Sequence, residues 1–378
     1  MKSLDIAWQR LRNQHIVQST CTTPHAVVAS LGAVQAQDYL GALWAVGSRM
    51  RSAIEADVER ALAERSIVRT WPLRGTLHLV AAEDARWMLD LLAPRIIARH
   101  AARLEREHGL SAAVIRRART AVQRALQGGK QLTRTGIDAV LEKNKVATSD
   151  QRGLQILWRL AHEGWICFGP RQGKQQTFVL FDEWLPPSTP RSRDDALGEL
   201  ATRYFTGHGP ATLADFVWWS GLSTADAKRA LEIASDALNH EVIEGVQYWF
   251  GPTSQHERVA SSVHLIPPFD ELIVGYKDRS AVLDPSMTKR VNAGGGMIPA
   301  VVVASGSVAG TWKRTLRGDS VEITTSLFRA LAKREQRELE EAARRYARFL
   351  GAQLQRRDGD PSVAEKGETP SSMRRVSR

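Results

Sequence analysis

Apolar and polar positions follow two rhythms along this chain, and the rhythms alternate in a repeated order. Leu154, Leu157, Trp158 and Ala161 recur at three- and four-residue steps, which predicts a helix over 152–164 with Asp150 as its N-cap. The next stretch, WICFGPRQGKQQTFVLF (165–181), has short apolar runs around a basic, glycine-containing tip at 171–176, which predicts a hairpin. LTRTGIDAVLEKN (132–144) opens another helix ahead of both.

The same order is read in the first ninety residues. Ile6, Leu11 and Ile16 begin an apolar face over 2–18. Thr23-Pro24 opens a second helix with proline in its first turn. Residues 53–64 make a third, and SIVRTWPLRGTLHLV (66–80) reads as two strands turning at 72–75. Three helices and a hairpin are the parts of a winged helix. A third copy follows the Pro/Ser-rich linker at 185–193: helices ending in TADAKRALEIA (224–234), capped by Ser223 or Thr224, then a hairpin over 238–252. Residues 82–127 between the first two copies read as basic helix, ended by Gly128-Gly129.

Beyond Val263 the texture changes. HLIPPFDELIVGY (264–276) and residues 297–323 read as strands with glycine turns, and 326–350 as a final helix. Gly294, Gly295 and Gly296 lack the following helix and lysine of a phosphate loop and read as a turn. The polar tail after 350 carries Pro361 and Pro370 and reads as disordered.

Charge narrows the partners. The chain carries a net +11, of which the tail from Gly351 supplies +2, so the folded body keeps +9. A basic folded body favours a polyanion. Cys21 and Cys167 form neither a metal spacing nor a disulfide framework. No zinc spacing, Walker loop, dinucleotide fingerprint or nucleophile elbow is present, so neither a cofactor nor a metal is expected. No apolar run is long enough for a membrane span, and residues 2–18 read as an amphipathic helix rather than a leader, which points to the cytoplasm, at the nucleoid.

The stretch least explained by packing is LGAVQAQDYL (31–40). In a regular helix, residues two apart lie about 200° apart, so Gln35 and Gln37 would point to opposite sides unless they sit at a helix end or a distortion. Gln35 and Asp38 would share a helical face. His78 on a strand shares a face with Thr76 and Val80; with Arg69 and Arg74 nearby it is a candidate for a cleft. Most of the eleven tryptophans are expected in cores, with one or two free to stack on bases.

VQAQDY (34–39), RTWPLRGTLHLV (69–80), PPFDELIVGYKDR (267–279) and GTWKRTLRG (310–318), in that order, resemble the winged-helix DNA glycosylases of the AlkZ/YcaQ kind. Gln35-Ala36-Gln37 is similar to the Gln-apolar-Gln form of that family's catalytic motif, with a middle residue smaller than usual. The resemblance implies an α+β fold, tandem winged-helix repeats in a C-shaped arrangement around a DNA channel with a C-terminal β-rich module. The expected divisions are 1–90, a basic linker 91–127, 128–190, 191–260, a β-rich module 261–325, a helix 326–350 and a tail 351–378. It implies a monomeric, monofunctional enzyme that hydrolyses the N-glycosidic bond of N7-alkylated purines in double-stranded DNA, some members acting on bulky adducts or interstrand crosslinks. Gln35 and Gln37 are the expected catalytic residues and Asp38 the electrostatic support. Arg69, Arg74, His78, Arg171, Lys174, Lys277 and Arg279 are the expected DNA contacts, and 269–283 is the expected lesion-side hairpin. The rival is a non-catalytic winged-helix DNA binder, a regulator or lesion sensor, which explains the charge and the hairpins but not the paired glutamines.

Overall fold

Two stretches of the chain share one order, helix, short strand, helix, helix, hairpin, and a third repeats it with a single bridge in place of the short strand. The computed structural model describes residues 3–252, 262–291 and 296–355. Ahead of the first repeat lies α1 (Ser3–Asn13). The first repeat runs α2 (Pro24–Leu31), β1 (Val34–Gln35), α3 (Tyr39–Gly47), α4 (Glu55–Ala63), β2 (Ile67–Leu73) and β3 (Thr76–Ala81). After the long α5 (Ala85–His108) comes the second: α6 (Ala112–Leu126), β4 (Leu132–Thr133), α7 (Arg134–Lys143), α8 (Arg152–His162), β5 (Ile166–Gln172) and β6 (Gln175–Leu180). One turn of helix, α9 (Phe181–Trp184), leads to the third: α10 (Arg193–His208), α11 (Leu213–Ser220), α12 (Thr224–Ala234), β7 (Asn239–Ile243) and β8 (Val246–Phe250).

The sheets match as well. Their strand orders are β1-β3-β2 and β4-β6-β5. In the third repeat β7 pairs with β8, and a lone bridge from Ala211 to Trp249 stands where the short first strand would be.

The local signals act as their chemistry requires at several ends. Thr23 accepts the Ala26 amide and Pro24 takes the first helical position of α2. Ser223, not Thr224, caps α12 by accepting from Asp226 N. At α8 the cap is Gln151 in the left-handed region (φ 68°) rather than Asp150, and it makes no side-chain cap bond.

Four expectations about the repeats are corrected. Residues 39–47 form α3, a helix the apolar run of YLGALWAVG hid because it is buried nearly all round. α1 stands outside the first repeat: it packs on α10, and its apolar face joins a core with residues 266–308. α6 is no linker; Ile115, Ala118 and Val122 share a core with Ile137, Leu141 and Ile156. Pro72 lies within β2, at an irregularity between Thr70 and Leu73, and the turn itself is Arg74-Gly75.

The last part is β9 (Val263–Ile266), α13 (Glu271–Val274), α14 (Thr288–Val291), β10 (Val301–Ala304), β11 (Ser307–Arg317), β12 (Ser320–Leu327), α15 (Lys333–Leu350) and β13 (Gln353–Gln355), with sheet order β13-β12-β11-β10-β9. Of the segment 264–276 only 264–266 is strand, the end of β9; Pro267 and Pro268 end it and Asp270 caps α13 by accepting from Leu272 N. Residues 269–283 are therefore one helical turn and loops, not a hairpin. The long hairpin of this part is β11–β12. The start of the tail is ordered as β13, parallel to β12. Gly294 and Gly295, and the tail from 356, lie outside the described residues.

Two cores meet at the first hairpin. Val68, Leu73 and Val80 pack with α5, α10, α11 and α12, while Val34, Ala36 and Leu79 pack with α3, β9, β10 and α15. The short strand β1 is thus held from both sides.

Candidate functional site

Gly32 ends α2 with φ 75°, and the chain turns at once into β1. Val34 pairs with Leu79 and Gln35 with His78, and the ladder continues as Ala36 N donates to Leu77 O at 2.7 Å. Extended backbone has a period of two. Val34 and Ala36 are fully buried on the core side; Gln35, between them, faces away from it, and Gln37, at the bend that follows, is exposed. The motif is not helical, and Gln35 and Asp38 share no helical face. The helix starts one residue past Asp38, which caps α3 by accepting Gly41 N at 2.5 Å.

Each amide has a different partner. Gln35 is 8% exposed and its Oε1 accepts from Arg74 Nη2 at 3.0 Å. With its oxygen taken, Gln35 turns its NH₂ away from Arg74. Gln37 is exposed, and its Oε1 accepts from Leu77 N at 3.4 Å, a long bond that costs little to exchange.

The hairpin turn aims Arg74. Arg74 and Gly75 have φ of 55° and 78°, the positive values a two-residue I′ turn needs. At a non-glycine residue that conformation costs about 1 kcal/mol. Arg74 also donates to Trp219 O of α11, so it ties the first repeat to the third. Arg69 does the equivalent for the next residue. Its Nε and Nη2 donate to Ala36 O at 3.1 and 2.8 Å, and its guanidinium lies over the rings of Phe168 and Tyr39 at 4.7 and 5.4 Å.

Behind the motif lies a buried carboxylate. Glu271 is fully buried; its Oε1 accepts Gln35 N at 2.8 Å, and its Oε2 accepts from Trp219 Nε1 at 3.0 Å and faces His208 Nε2 at 3.2 Å. Burial alone would raise its pKa, but the His208 hydrogen bond and charge, with His78 and Arg74, hold the carboxyl down at about 2. The neighbouring Asp270 is clamped by Arg49 through two bonds of 2.7 Å, with both side chains 0% exposed. His78 is likewise buried, its Nδ1 on Thr76 O at 3.0 Å and its Nε2 without a partner. Burial first, and the Arg74 charge second, lower its pKa to about 4, so the ring is neutral at pH 7.

Sequence reasoning and structure differ over the cations. Arg69 and His78 are 6% and 0% exposed, so in this conformation they brace the motif from behind and do not contact DNA. Arg74 is half-buried with its donors on Gln35 and Trp219. Arg171 pairs with Glu59 at 3.2 Å. Lys174, at the tip of β5–β6, and Lys277 are exposed, and Arg279 is partly buried. Glu271, His208 and Trp219 were missed. An acidic pair inside the apolar run PPFDELIVGY was a usable signal, because a carboxylate is buried only with partners.

A cleft of about 460 Å³ opens beside the motif, bounded by Asp38 and Gly41, by the segments 267–269 and 297–300, and by Thr311, Trp312, Lys313 and Arg314 of β11. Among the described residues no group of three or more His, Cys, Asp or Glu is arranged to hold a metal ion. No helix among them is long and apolar enough to cross a membrane.

The chain matches the family model described as DNA glycosylase AlkZ-like over residues 28–349. It is 28% identical to a Streptomyces sahachiroi protein called interstrand DNA cross-link repair glycosylase, with 81% of this chain and 86% of that one covered. Its fold is similar to the solved structure of Streptomyces sahachiroi DNA glycosylase AlkZ, with a TM-score of 0.74, 25% identity, and 93% and 98% of the two chains covered.

Proposed function

Because the chain belongs to the AlkZ-like DNA glycosylase family, we propose that Gln35 and Gln37 hydrolyse the N-glycosidic bond of N7-alkylated purines, interstrand crosslinks included. The single observation behind this reading is that Gln35 and Gln37 flank the fully buried Ala36, with Gln35 held by Arg74 and Gln37 exposed.

N7 alkylation makes the purine a cation, so it leaves without prior protonation. The C1′–N9 bond breaks and its electron pair goes to the purine, which departs neutral. A water oxygen adds to the oxocarbenium-like sugar and loses a proton to solvent. The difficulty is placement and charge, not base strength. Gln37, with its loosely held Oε1, suits the water: its amide oxygen accepts the water's hydrogen and orients a lone pair at C1′. Gln35, its oxygen fixed by Arg74, offers NH₂ donors to a sugar or phosphate oxygen. Asp38 and the ionised Glu271 supply negative charge near the developing sugar cation.

We read the three repeats as winged helices that surround a DNA channel in a C-shaped monomer. Lys174, Lys277, Arg171 and Arg279 serve the phosphates, while Arg69, Arg74 and His78 act from behind the motif. A regulator has no use for a braced glutamine pair. Single-turnover release of 7-methylguanine from methylated duplex tests the reading; release at the rate of protein-free duplex would refute it.

A further inference from the structure

We propose that Tyr39 is a positioning residue for Gln37: its hydroxyl, held by Glu59, fixes the bend from which the Gln37 amide projects. This rests on the glycosylase reading above and adds a residue to it.

The motif is held differently on the two sides of that bend. Ahead of it Ala36 is fixed through both backbone groups, its N–H donating to Leu77 O at 2.7 Å and its carbonyl accepting two bonds from Arg69. Past it Asp38 turns back on its own helix to accept Gly41 N, which sets the start of α3. Tyr39, the first residue of α3, reaches out of that helix: its Oη donates to Glu59 Oε2 of α4 at 2.8 Å. Glu59 is fixed in turn from the second repeat, its Oε1 accepting from Arg171 Nη1 of β5 at 3.2 Å. The Arg171 and Arg69 guanidiniums lie over the Tyr39 ring at 4.9 and 5.4 Å. The side chain two residues after Gln37 therefore joins the motif to α4 and to the β5–β6 hairpin.

Packing does not fix this ring by itself. A cavity of about 390 Å³ opens beside it, bounded by Leu62, Arg69, Phe168, Arg171 and Gln176. A ring released from Glu59 has that space to enter, and the bend at Gln37 and Asp38 follows it. The long Gln37 bond to Leu77 N is too weak to resist. A displacement of about 1 Å in a group that orients the attacking water costs up to about a hundredfold in rate, and loss of one tether among several about tenfold. Glu59 is partly exposed, so water replaces the lost hydroxyl and the fold is little affected.

The test is single-turnover release of 7-methylguanine by wild type, Tyr39→Phe, Gln37→Ala and the variant carrying both changes, with duplex affinity and urea midpoints measured beside it. Tyr39→Phe keeps the ring and removes the hydroxyl. It should slow release about tenfold, with affinity and midpoint close to wild type. In the Gln37→Ala background the same change should alter the rate by less than about twofold, because the group it positions is gone. Release by Tyr39→Phe at the wild-type rate overturns the inference. So does a tenfold loss that persists without Gln37, since Tyr39 would then act on another group. A loss of rate matched by a loss of affinity or by a lower midpoint overturns it as well. All three leave the glycosylase reading intact; wild type releasing no base sinks that reading and the inference with it.

Discussion

Arg74 Nη2 donates to Gln35 Oε1 at 3.0 Å, so a cation on a hairpin turn decides which way the Gln35 amide, proposed above as catalytic, faces. The oxygen is held, which leaves the NH₂ donors on the side away from Arg74. Arg74→Met should therefore leave DNA affinity within a fewfold and slow base release by about 10–100-fold, because Gln35 loses its orientation and not its presence. Gln35→Glu should slow release at least as much, since the carboxylate would pair with Arg74 and present no donor. Single-turnover rates beside equilibrium binding separate the two effects. Loss of affinity equal to loss of rate would assign Arg74 to the phosphates instead.

Asp38 both caps α3 and faces the cleft, and the two roles come apart in two variants. Asp38→Ala should lower stability by about 1 kcal/mol in urea unfolding, the cost of a lost N-cap. Asp38→Asn should hold stability within about 0.5 kcal/mol, because asparagine caps equally well, yet slow release of a cationic purine by about tenfold. Unchanged release in Asp38→Asn would confine Asp38 to capping.

Buried neutral histidines set the acid limit of the fold. His78 and His162 are 0% and 2% exposed, and burial is the first cause that lowers each pKa to about 4. Below the ordinary histidine value the unfolded chain takes up protons that the folded one refuses. Their contribution is fully present above about pH 6.5 and is lost as pH falls toward 4. Urea midpoints between pH 7 and pH 5 should drop by an amount equal to about 2 kcal/mol for each ring. His162→Gln should make the slope shallower. A flat profile would contradict the burial argument. Glu271, held at about 2, adds a second loss only below about pH 4.5.

Binding to DNA should be driven by phosphates and fall steeply with salt, as the +9 body requires. Lys174→Glu and Lys277→Glu should weaken binding to all sequences alike and reduce the salt slope by about one for each cation lost. Fluorescence anisotropy at several salt concentrations reads both, and affinity indifferent to salt would contradict the channel.

The sequence carried the repeats well. Leu154, Leu157, Trp158 and Ala161 lie on a helix, the 165–181 hairpin is in place, and Thr23-Pro24 and Ser223 start helices as their chemistry requires. It misled where tertiary burial overrode pattern. YLGALWAVG, apolar all round, carried no period, and α3 went unseen. Without α3 the glutamines have no fixed place relative to a helix, although the strand through Gln35 and the bend at Gln37 put the motif ahead of it. HLIPPFDELIVGY reads as a strand, and its two adjacent acids fit no period; they are the buried ends of long-range bonds to Arg49 and to Gln35 N. Those partners lie more than two hundred residues away, and no local rule reaches them.

The proposed hydrolysis depends on the glutamine pair. The most direct measurement is single-turnover release of 7-methylguanine by wild type, Gln37→Ala, Gln35→Ala and the double variant, with binding measured alongside. Gln37→Ala should slow release by about 10²-fold or more with binding nearly intact, and Gln35→Ala by as much or somewhat less. The double variant should lose less than the product of the two, because both amides serve one water–sugar geometry. No protein–DNA adduct should be trapped by borohydride, since water is the nucleophile. Undiminished release by the double-alanine protein, or a trapped covalent adduct, would contradict the mechanism.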